Sequence, residues 1–375
     1  MPTRRTGLLA LGLLGLSGAL SVYAASRDAR VVGTADGGLP LDAPLPTTIP
    51  PGTTIAVGDP TTQAVLEHNG WLKDLPFTIR WAEITGGPNV TEAFHAKVLD
   101  AGSAMNIPPI HAHWVGIPVR MIAVRQKTDW AEKPTFQLAI APKAQIRTLA
   151  DLRGKRIAYS PGQAQGELVL KILKAQGIPL SEVTLVEAPS PAADAYINAL
   201  VGGLVDAAPI ASAAPTKRYL ESFGREGARV LAHGQRDDFQ TVYVREEVLR
   251  DPAKAAALRQ YVQLWARALA WQEANREEWA RVYYEKDQGL SPAYAAHAVA
   301  AEGDRTVPAD WNEAIRLEQQ SIALMAEETK RAQFPAETLF DRRFEPVAAQ
   351  AYAQARTQIR LAATLPPGVE RGGAK

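Results

Sequence analysis

The sequence predicts an α/β protein of two lobes with a ligand cleft between them and a helical C-terminal tail. Strand-to-helix turns of one type recur up to about residue 240, and such turns are typical of parallel α/β sheets. From about residue 253 onward the apolar spacing is helical. The chain has 375 residues, which is enough for two lobes of ordinary size.

The clearest strand-to-helix turn lies within residues 151–177. Arg156–Tyr159 reads as a buried strand, and an amphipathic apolar stripe begins at Leu168. Between them, Ser160 at the N-cap and Gln163 three residues later match a capping box, which predicts a helix that begins directly after the strand. A helix start presents free backbone N–H groups and a partial positive charge. This stretch therefore predicts an anion-binding site.

Three further strands run into similar turns. Asp59-Pro60 follows residues 55–58, Gly86-Gly87-Pro88 follows residues 77–81, and Asn106-Ile107-Pro108 follows a short apolar piece ending at Met105. Proline is tolerated at a first helical position because its missing N–H has no partner there. We expect these turns to meet at the carboxyl edge of a sheet, where ligands bind. The alternative is that each is an ordinary connecting loop.

Composition excludes several classes of function. With 41 basic and 40 acidic residues and no basic run, the sequence gives no sign of a nucleic-acid partner. The absence of cysteine excludes thiol catalysis, cysteine-ligated zinc and a lipid-modified cysteine. His111 and His113 stand two apart at a predicted helix start, where their side chains diverge. We therefore expect neither a metal nor a cofactor.

The first 25 residues have the organisation of a signal peptide. Arg4-Arg5 precedes an apolar run from Leu8 to Leu20, and small residues around Ala24 and Ala25 fit a cleavage site. We expect export to the periplasm, by the general or the twin-arginine route. No 20-residue apolar span follows this segment, so we expect no membrane-spanning helix in the mature protein.

The remaining chain divides by pattern into an arm, two lobes and a tail. We expect an extended arm over 26–51, a first lobe formed by 52–141 plus 237–345, a second lobe over 142–236, and a C-terminal helix and tail over 346–375. The strand at 136–141 then leads into the first crossing, and a strand near 239–244 returns the chain. A double crossing suggests a hinge that closes around a ligand.

Four short stretches are informative when taken together: Trp81–Ile84 with Gly86–Pro88, Leu149–Lys155, Asp310–Asn312 and Leu339–Phe344. In this order along the chain they resemble the aliphatic sulfonate/nitrate/taurine substrate-binding proteins of ABC importers. The resemblance implies a type II periplasmic-binding fold that captures a small anion and delivers it to a membrane permease. It implies no enzymatic activity. We expect a monomer.

Under this resemblance we expect a sulfonate head group to be held by the helix starts after Gly87 and Ser160. The expected ligand-binding residues are Asp59, Thr61, Thr62, Gly86, Gly87, Asn106, Pro108, Ser160, Gly162, Gln163, Ala164, Gln165, Ala211 and Ser212. An arginine is a natural further partner, but the sequence leaves the choice between Arg120, Arg125 and Arg236 open.

The chain departs from the resembled family around Ser103–Asn106 and Ala208–Ser212, so other ligands remain open. Alternatives are nitrate, taurine or a thiamine-precursor-like heterocycle, the last favoured by Asp59. A desulfinase-like hydrolase shares the resembled fold but relies on a cysteine nucleophile, and this chain has none.

Overall fold

A computed structural model describes residues 38–84, 86–187 and 193–364. The predicted signal peptide over 1–25 and the end of the predicted tail lie outside the described residues. In the part of the chain that is described, no helix combines the length and the apolar character needed to cross a lipid bilayer.

The first sheet carries the early strands and one strand that returns much later. It consists of β1 (Thr54–Gly58), β2 (Thr78–Trp81), β3 (Ala101–Met105), β4 (Val119–Lys127), β10 (Gln240–Arg245) and β11 (Arg305–Thr306). The strand order is β11-β4-β10-β3-β1-β2, with β1 parallel to both β2 and β3. Strand β10 is antiparallel to β3 and β4 and lies between them. We call this sheet and the helices packed on it the first lobe.

The second sheet forms the second lobe. It consists of β5 (Phe136–Ile140), β6 (Arg156–Tyr159), β7 (Thr184–Glu187), β8 (Ala207–Ala211) and β9 (Arg229–Leu231), in the order β7-β6-β8-β5-β9. Strand β6 is parallel to β7 and β8, whereas β5 is antiparallel to β8 and β9.

The expected first crossing after residue 141 is wrong, because β5 belongs to the second sheet. Phe136 pairs with Ala211 and Ile140 with Ala207, so the chain passes between the sheets within residues 128–135. Apolar alternation identifies a strand but does not identify its partner, and either sheet accommodates this one. The return at β10 agrees with the strand expected near 239–244.

Helices cover both sheets. They are α1 (Pro60–His68), α2 (Gly87–His95), α3 (Ile107–Trp114), α4 (Ala164–Ala175), α5 (Ala193–Val201), α6 (Ala214–Phe223), α7 (Glu246–Leu249), α8 (Pro252–Ala274), α9 (Arg276–Trp279), α10 (Pro292–Glu302), α11 (Asn312–Thr329) and α12 (Glu345–Thr364). Because helices flank the sheet, β1 is apolar and its last four residues are buried.

The helical tail is less continuous than its apolar spacing suggests. The pattern over 253–284 predicts one helix, but α8 ends at Ala274 and a π-helical segment, Ala280–Asp287, follows α9. Asn275 stands at the break, where its side-chain amide donates to the Trp271 carbonyl at 2.8 Å. Asparagine competes in this way with the regular helical hydrogen bonds.

The two ends of the described chain pack against the first lobe. Helix α12 lies along α8, and the Tyr352 hydroxyl donates to Glu273 at 2.7 Å. The described part of the expected arm is tied down by a backbone bond from Leu39 to the Arg250 carbonyl at 2.6 Å. Arg343 also donates to the Ala43 carbonyl at 2.9 Å.

Helix α4 begins later than its capping-box spelling predicts. The helix starts at Ala164 with Gln163 at the N-cap, so the prediction of Ser160 as the N-cap is wrong. Gly162 has φ +73°, which no right-handed helix accommodates. With Pro161 before it and the Gln163 N–H donating to the Ser160 carbonyl at 3.3 Å, the segment has the features of a type II turn.

Gly166 brings the first turn of α4 against the end of β6. A Cβ atom placed on Gly166 lies 2.2 Å from the Ser160 carbonyl oxygen, a backbone atom. We expect Gly166→Ala to destabilise the protein by about 1–3 kcal/mol, the usual range for overpacking. Urea unfolding measures the change.

Gly224 provides a matched control for this substitution. It has helical backbone angles, φ −61° and ψ −35°, and open space around its Cβ position. Gly224→Ala should leave stability unchanged or raise it by about 0.4–1 kcal/mol. Equal losses for both alanine variants would contradict the close contact at Gly166.

Candidate ligand-binding site

A cavity of about 250 Å³ lies where helix starts from the two lobes face each other. The expected residues that line it are Asp59, Thr61, Gly86, Gly87, Pro108, Gln163, Ala164 and Gln165. The strand-to-helix turns of β1, β2, β3 and β6 therefore do converge on one space. Phe136, Met105 and Trp265 supply apolar walls that the sequence pattern did not single out.

The other expected residues lie elsewhere. Ala211 and Ser212 line a second cavity of about 290 Å³, which shares Thr61, Arg125 and Gln240 with the first. The Ser212 hydroxyl donates to the Pro134 carbonyl at 2.7 Å. Thr62, Asn106, Ser160 and Gly162 are absent from the walls of both cavities.

These four residues take part in packing and internal hydrogen bonds. The Ser160 hydroxyl accepts from Tyr196 at 2.5 Å, and a Cβ on Gly162 would lie 3.0 Å from the His111 ring. The Ser160 hydroxyl is thus engaged by Tyr196, and a contact between this side chain and a ligand stays a prediction. A short polar side chain at the end of a buried strand can form a hydrogen bond with a neighbouring residue as readily as with a ligand.

Asn106 belongs to a buried network that joins three elements. Its amide donates to Glu318 of α11 at 2.9 Å and to Ser321 at 3.3 Å. The Ser321 hydroxyl in turn donates to Glu167 of α4, which pairs with Lys171 at 2.8 Å. The Asn106 amide is thus engaged by α11, and ligand binding by this residue stays a prediction.

Asp59 acts as the N-cap of α1. Its carboxylate accepts from the Thr62 backbone at 3.2 Å, from the Thr61 and Thr62 hydroxyls at 2.9 and 2.7 Å, and from the Tyr261 hydroxyl at 2.8 Å. Burial, and then the Asp59 charge, raises the pKa of Tyr261 well above its usual value. Four donors therefore surround the carboxylate, and α1 is capped by the chain itself.

Helices α2 and α4 differ from α1 because no side chain caps them. The N-cap of α2 is Gly86, which has none to offer, and the N-cap side chain of α4, Gln163, makes no capping bond. Both starts line the first cavity. Uncapped helix starts favour negative charge, and one of these lies in each lobe.

Gln163 lines the first cavity and carries a side-chain N–H donor. The residue is 8% exposed, and its side-chain nitrogen has no hydrogen-bond partner in the described structure. That nitrogen lies 3.6 Å from the position of a Cβ on Gly87, so the two lobes are in close approach there. A buried donor without a partner is costly unless a ligand or water supplies one.

Arg125 is the cationic group of this cavity. It lies on β4 opposite Gln240 of β10, and its Nε donates to the Gln240 side-chain oxygen at 2.8 Å. Among the described residues no carboxylate lies within 4 Å of the guanidinium. Burial, followed by the nearby Arg305, lowers the pKa of Arg125 to about 10, so it stays charged at neutral pH.

The other two arginines left open by the sequence are paired with carboxylates. Arg120 lies 2.9 Å from Glu246, and Arg236 lies 2.8 Å from Asp238. Neither lines the first cavity. Arg125 directly follows the apolar run Met121–Val124, but Arg120 directly precedes it, so position in the sequence does not distinguish the two.

The histidines considered as metal ligands in the sequence do not form a metal-binding group in the described structure. Within residues 38–84, 86–187 and 193–364, no three histidine or acidic side chains come together as a metal-binding group. His113 stacks on Phe334 with ring centres 3.9 Å apart. The arrangement offers an unpaired guanidinium, an amide donor and two helix starts, which together suit an anion with an apolar part.

The two lobes, the double crossing and the cavity between helix starts define a periplasmic-binding-protein fold. The alkanesulfonate-binding protein SsuA from Xanthomonas axonopodis pv. citri, solved bound to MOPS, superposes with a TM-score of 0.64 at 21% identity. The similarity covers 78% of this chain and 98% of that one. The predicted fold is thereby confirmed.

Sequence comparisons also find similarity to sulfonate-binding proteins, over shorter stretches of the chain. Residues 64–241 match the family model described as NMT1/THI5 like. A putative aliphatic sulfonates-binding protein of Escherichia coli K12 is 30% identical over 105 residues, which is 28% of this chain. The match spans 32% of that relative's length. The predicted similarity to sulfonate-binding proteins is confirmed.

The same fold also occurs in an enzyme. The desulfurization enzyme DSZB superposes with a TM-score of 0.55 at 14% identity, covering 82% of this chain and 99% of that one. At this identity the likeness concerns the fold alone.

Proposed function

We propose that this protein is the extracytoplasmic solute-binding component of an ABC importer and that it captures a small organic sulfonate. It acts as a monomer in the periplasm, closes its lobes on the ligand and delivers it to the membrane permease. The observation that carries the proposal is the Arg125 guanidinium, which faces the cavity without a carboxylate partner among the described residues.

The remaining polar groups of the cavity support an ionised head group. Helices α2 and α4 add uncapped starts from opposite lobes, and Gln163 adds a buried donor. A helix start contributes about 0.3–1 kcal/mol, up to about 2 when partly buried. Charge-assisted hydrogen bonds add about 1.5–3 kcal/mol each. Together these reach on the order of the 8 kcal/mol of micromolar binding.

A heterocycle is the second candidate. The aromatic walls Phe136 and Trp265 favour it. The sequence suggested Asp59 as an anchor for a cationic ring. Its carboxylate already accepts from Thr61, Thr62 and Tyr261, which weighs against that role.

A hydrolase of the desulfinase type receives less support. The likeness to DSZB is at the level of the fold, and the chain contains no cysteine to act as a thiolate nucleophile. We therefore propose a binding protein without enzymatic activity. Sulfite release from an aromatic sulfinate would contradict this part of the proposal.

Isothermal titration calorimetry tests the proposal. We expect saturable heat at micromolar concentrations with ethanesulfonate, butanesulfonate or taurine, and weaker binding of butanoate. The buffer must contain no sulfonate group, because MOPS and its relatives would compete. Binding of thiamine precursors without any response to sulfonates would support the second candidate. No heat with any sulfonate would overturn the proposed function.

A further inference from the structure

The second cavity is lined by a second cation without an ion-pair partner within 4 Å among the described residues. Lys127 lines it and is 8% exposed. Its ammonium donates to the backbone carbonyls of Lys133 and Ala301 at 2.8 and 2.9 Å. In the described chain no carboxylate lies within 4 Å of this nitrogen, although Asp237 and Asp129 are near enough to act on its pKa.

Arg125 and Lys127 place two positive charges beside the second cavity. They stand two apart on β4, so their side chains leave the same face of the sheet, and both line the second cavity. Burial lowers the pKa of Lys127, the carboxylates of Asp237 and Asp129 oppose this, and the charge of Arg125 lowers the pKa further. A buried and a half-buried cation repel each other, and an anion between them relieves the repulsion.

The acidic groups of the second cavity are already compensated. Asp238 pairs with Arg236 at 2.8 Å and accepts the Lys127 backbone N–H. Glu302 pairs with Arg305 at 3.1 Å and accepts from the Tyr284 hydroxyl at 2.7 Å. Among the described charged residues that line this cavity, Arg125 and Lys127 are therefore the two without an ion-pair partner within 4 Å.

The two cavities share Arg125, Thr61 and Gln240 as lining residues, so they lie next to each other. On the basis of the proposed function, we propose that the ligand is a dianion. The ligand spans both cavities: its sulfonate lies at Arg125 and the starts of α2 and α4, and its second anionic group, a carboxylate, lies on the Lys127 side of Arg125. The substrate class is then a short sulfocarboxylate.

The π-helical segment gives the second cavity an aromatic wall. Tyr283 lines the space and stacks on Trp279 with ring centres 4.6 Å apart. Such segments occur frequently at functional sites. In this arrangement the ring packs on the carbon chain between the two charged ends.

Calorimetry with matched ligands tests this inference. The probes are sulfoacetate, 3-sulfopropanoate and 4-sulfobutanoate, each compared with its own carboxamide, which has the same shape but lacks the second charge. We expect at least one acid to bind on the order of 10- to 100-fold more tightly than its amide, as a charge-assisted contact provides.

Lys127→Gln should abolish that preference, because glutamine keeps a polar amide but carries no charge. Lys143→Gln is the control, since it removes the same charge from an exposed position. If Lys127→Gln fails to fold, Lys127→Arg provides a second test and should retain the preference for the acid. Circular dichroism and the melting temperature report folding.

The outcomes separate the two proposals. Equal binding of acids and amides at all three lengths overturns the dianion while sulfonate binding stands. Retention of the preference in a folded Lys127→Gln protein also overturns it. If no sulfonate, acid or amide binds, the proposed function fails and the dianion fails with it.

Discussion

Arg125→Gln is expected to weaken sulfonate binding by about 10- to 100-fold, because one charge-assisted contact contributes roughly 1.5–3 kcal/mol. The guanidinium faces the first cavity, and its hydrogen-bond partner in the described structure is the amide of Gln240 rather than a carboxylate. Its removal therefore leaves no buried counter-charge within ion-pair distance. Calorimetric titration of wild type and variant with the same alkanesulfonate measures the change.

Arg120→Gln is the matched control. It removes the same group from the same strand, but Arg120 pairs with Glu246 and lies outside the first cavity. Its sulfonate affinity should stay within about twofold of wild type, since a part-exposed pair contributes little. Arg125→Lys should retain part of the affinity because the charge persists. Unchanged binding by folded Arg125→Gln would remove the central contact from the proposed function.

Glu318→Gln is expected to stabilise the protein at alkaline pH. Glu318 is fully buried on α11, and one of its carboxylate oxygens has no hydrogen-bond partner in the described structure. Burial raises its pKa well above the usual value; the Asn106 hydrogen bond opposes this and the charge of Glu167 adds to it. The folded protein therefore favours the protonated acid, which glutamine resembles in shape and charge.

The sign of the pH dependence follows from the raised pKa. The stability linked to the Glu318 proton is fully present below the unfolded-state pKa, near 4.5, and is lost as the pH rises through the higher folded-state pKa. Between these values the limiting slope is about 1.4 kcal/mol per pH unit for one proton. Urea unfolding measures the free energy of unfolding of wild type and Glu318→Gln from pH 4.5 to 8.5. The difference between the two proteins should grow as the pH rises.

Glu327→Gln controls for a loss of charge on the same helix. Glu327 is exposed and pairs with Lys174, and that contact lowers its pKa. Its substitution should change stability little and should not reproduce the divergence. Parallel pH curves for wild type and Glu318→Gln would mean that Glu318 titrates normally in the folded protein.

Local sequence patterns were sufficient for the elements that meet at the cavity. Proline after a strand located the starts of α1 and α3, and Gly86-Gly87-Pro88 located the start of α2. The same local logic placed the α4 start too early. A type II turn and a helix start share serine and proline, and Gly162 at φ +73° decides between them.

Long-range partners were not predictable from these patterns. Asn106 and Glu318 lie 212 residues apart, so no local spacing reveals that the amide is already engaged. Strand β5 has a periodicity that fits either sheet. The choice of Arg125 over Arg120 and Arg236 depended on which charges have carboxylate neighbours, and only the folded structure supplies those.

Strand β10 has a consequence for how the polypeptide is assembled. It fills the gap between β3 and β4, yet its residue Gln240 is 115 positions beyond its partner Arg125. Until that segment emerges from the ribosome, both neighbouring strands keep open edges, which are prone to mispairing. Contacts between residues so far apart in the sequence form late in folding. Chaperone protection of the nascent chain should therefore be needed until residue 245 has emerged, and a fragment ending before β10 should aggregate.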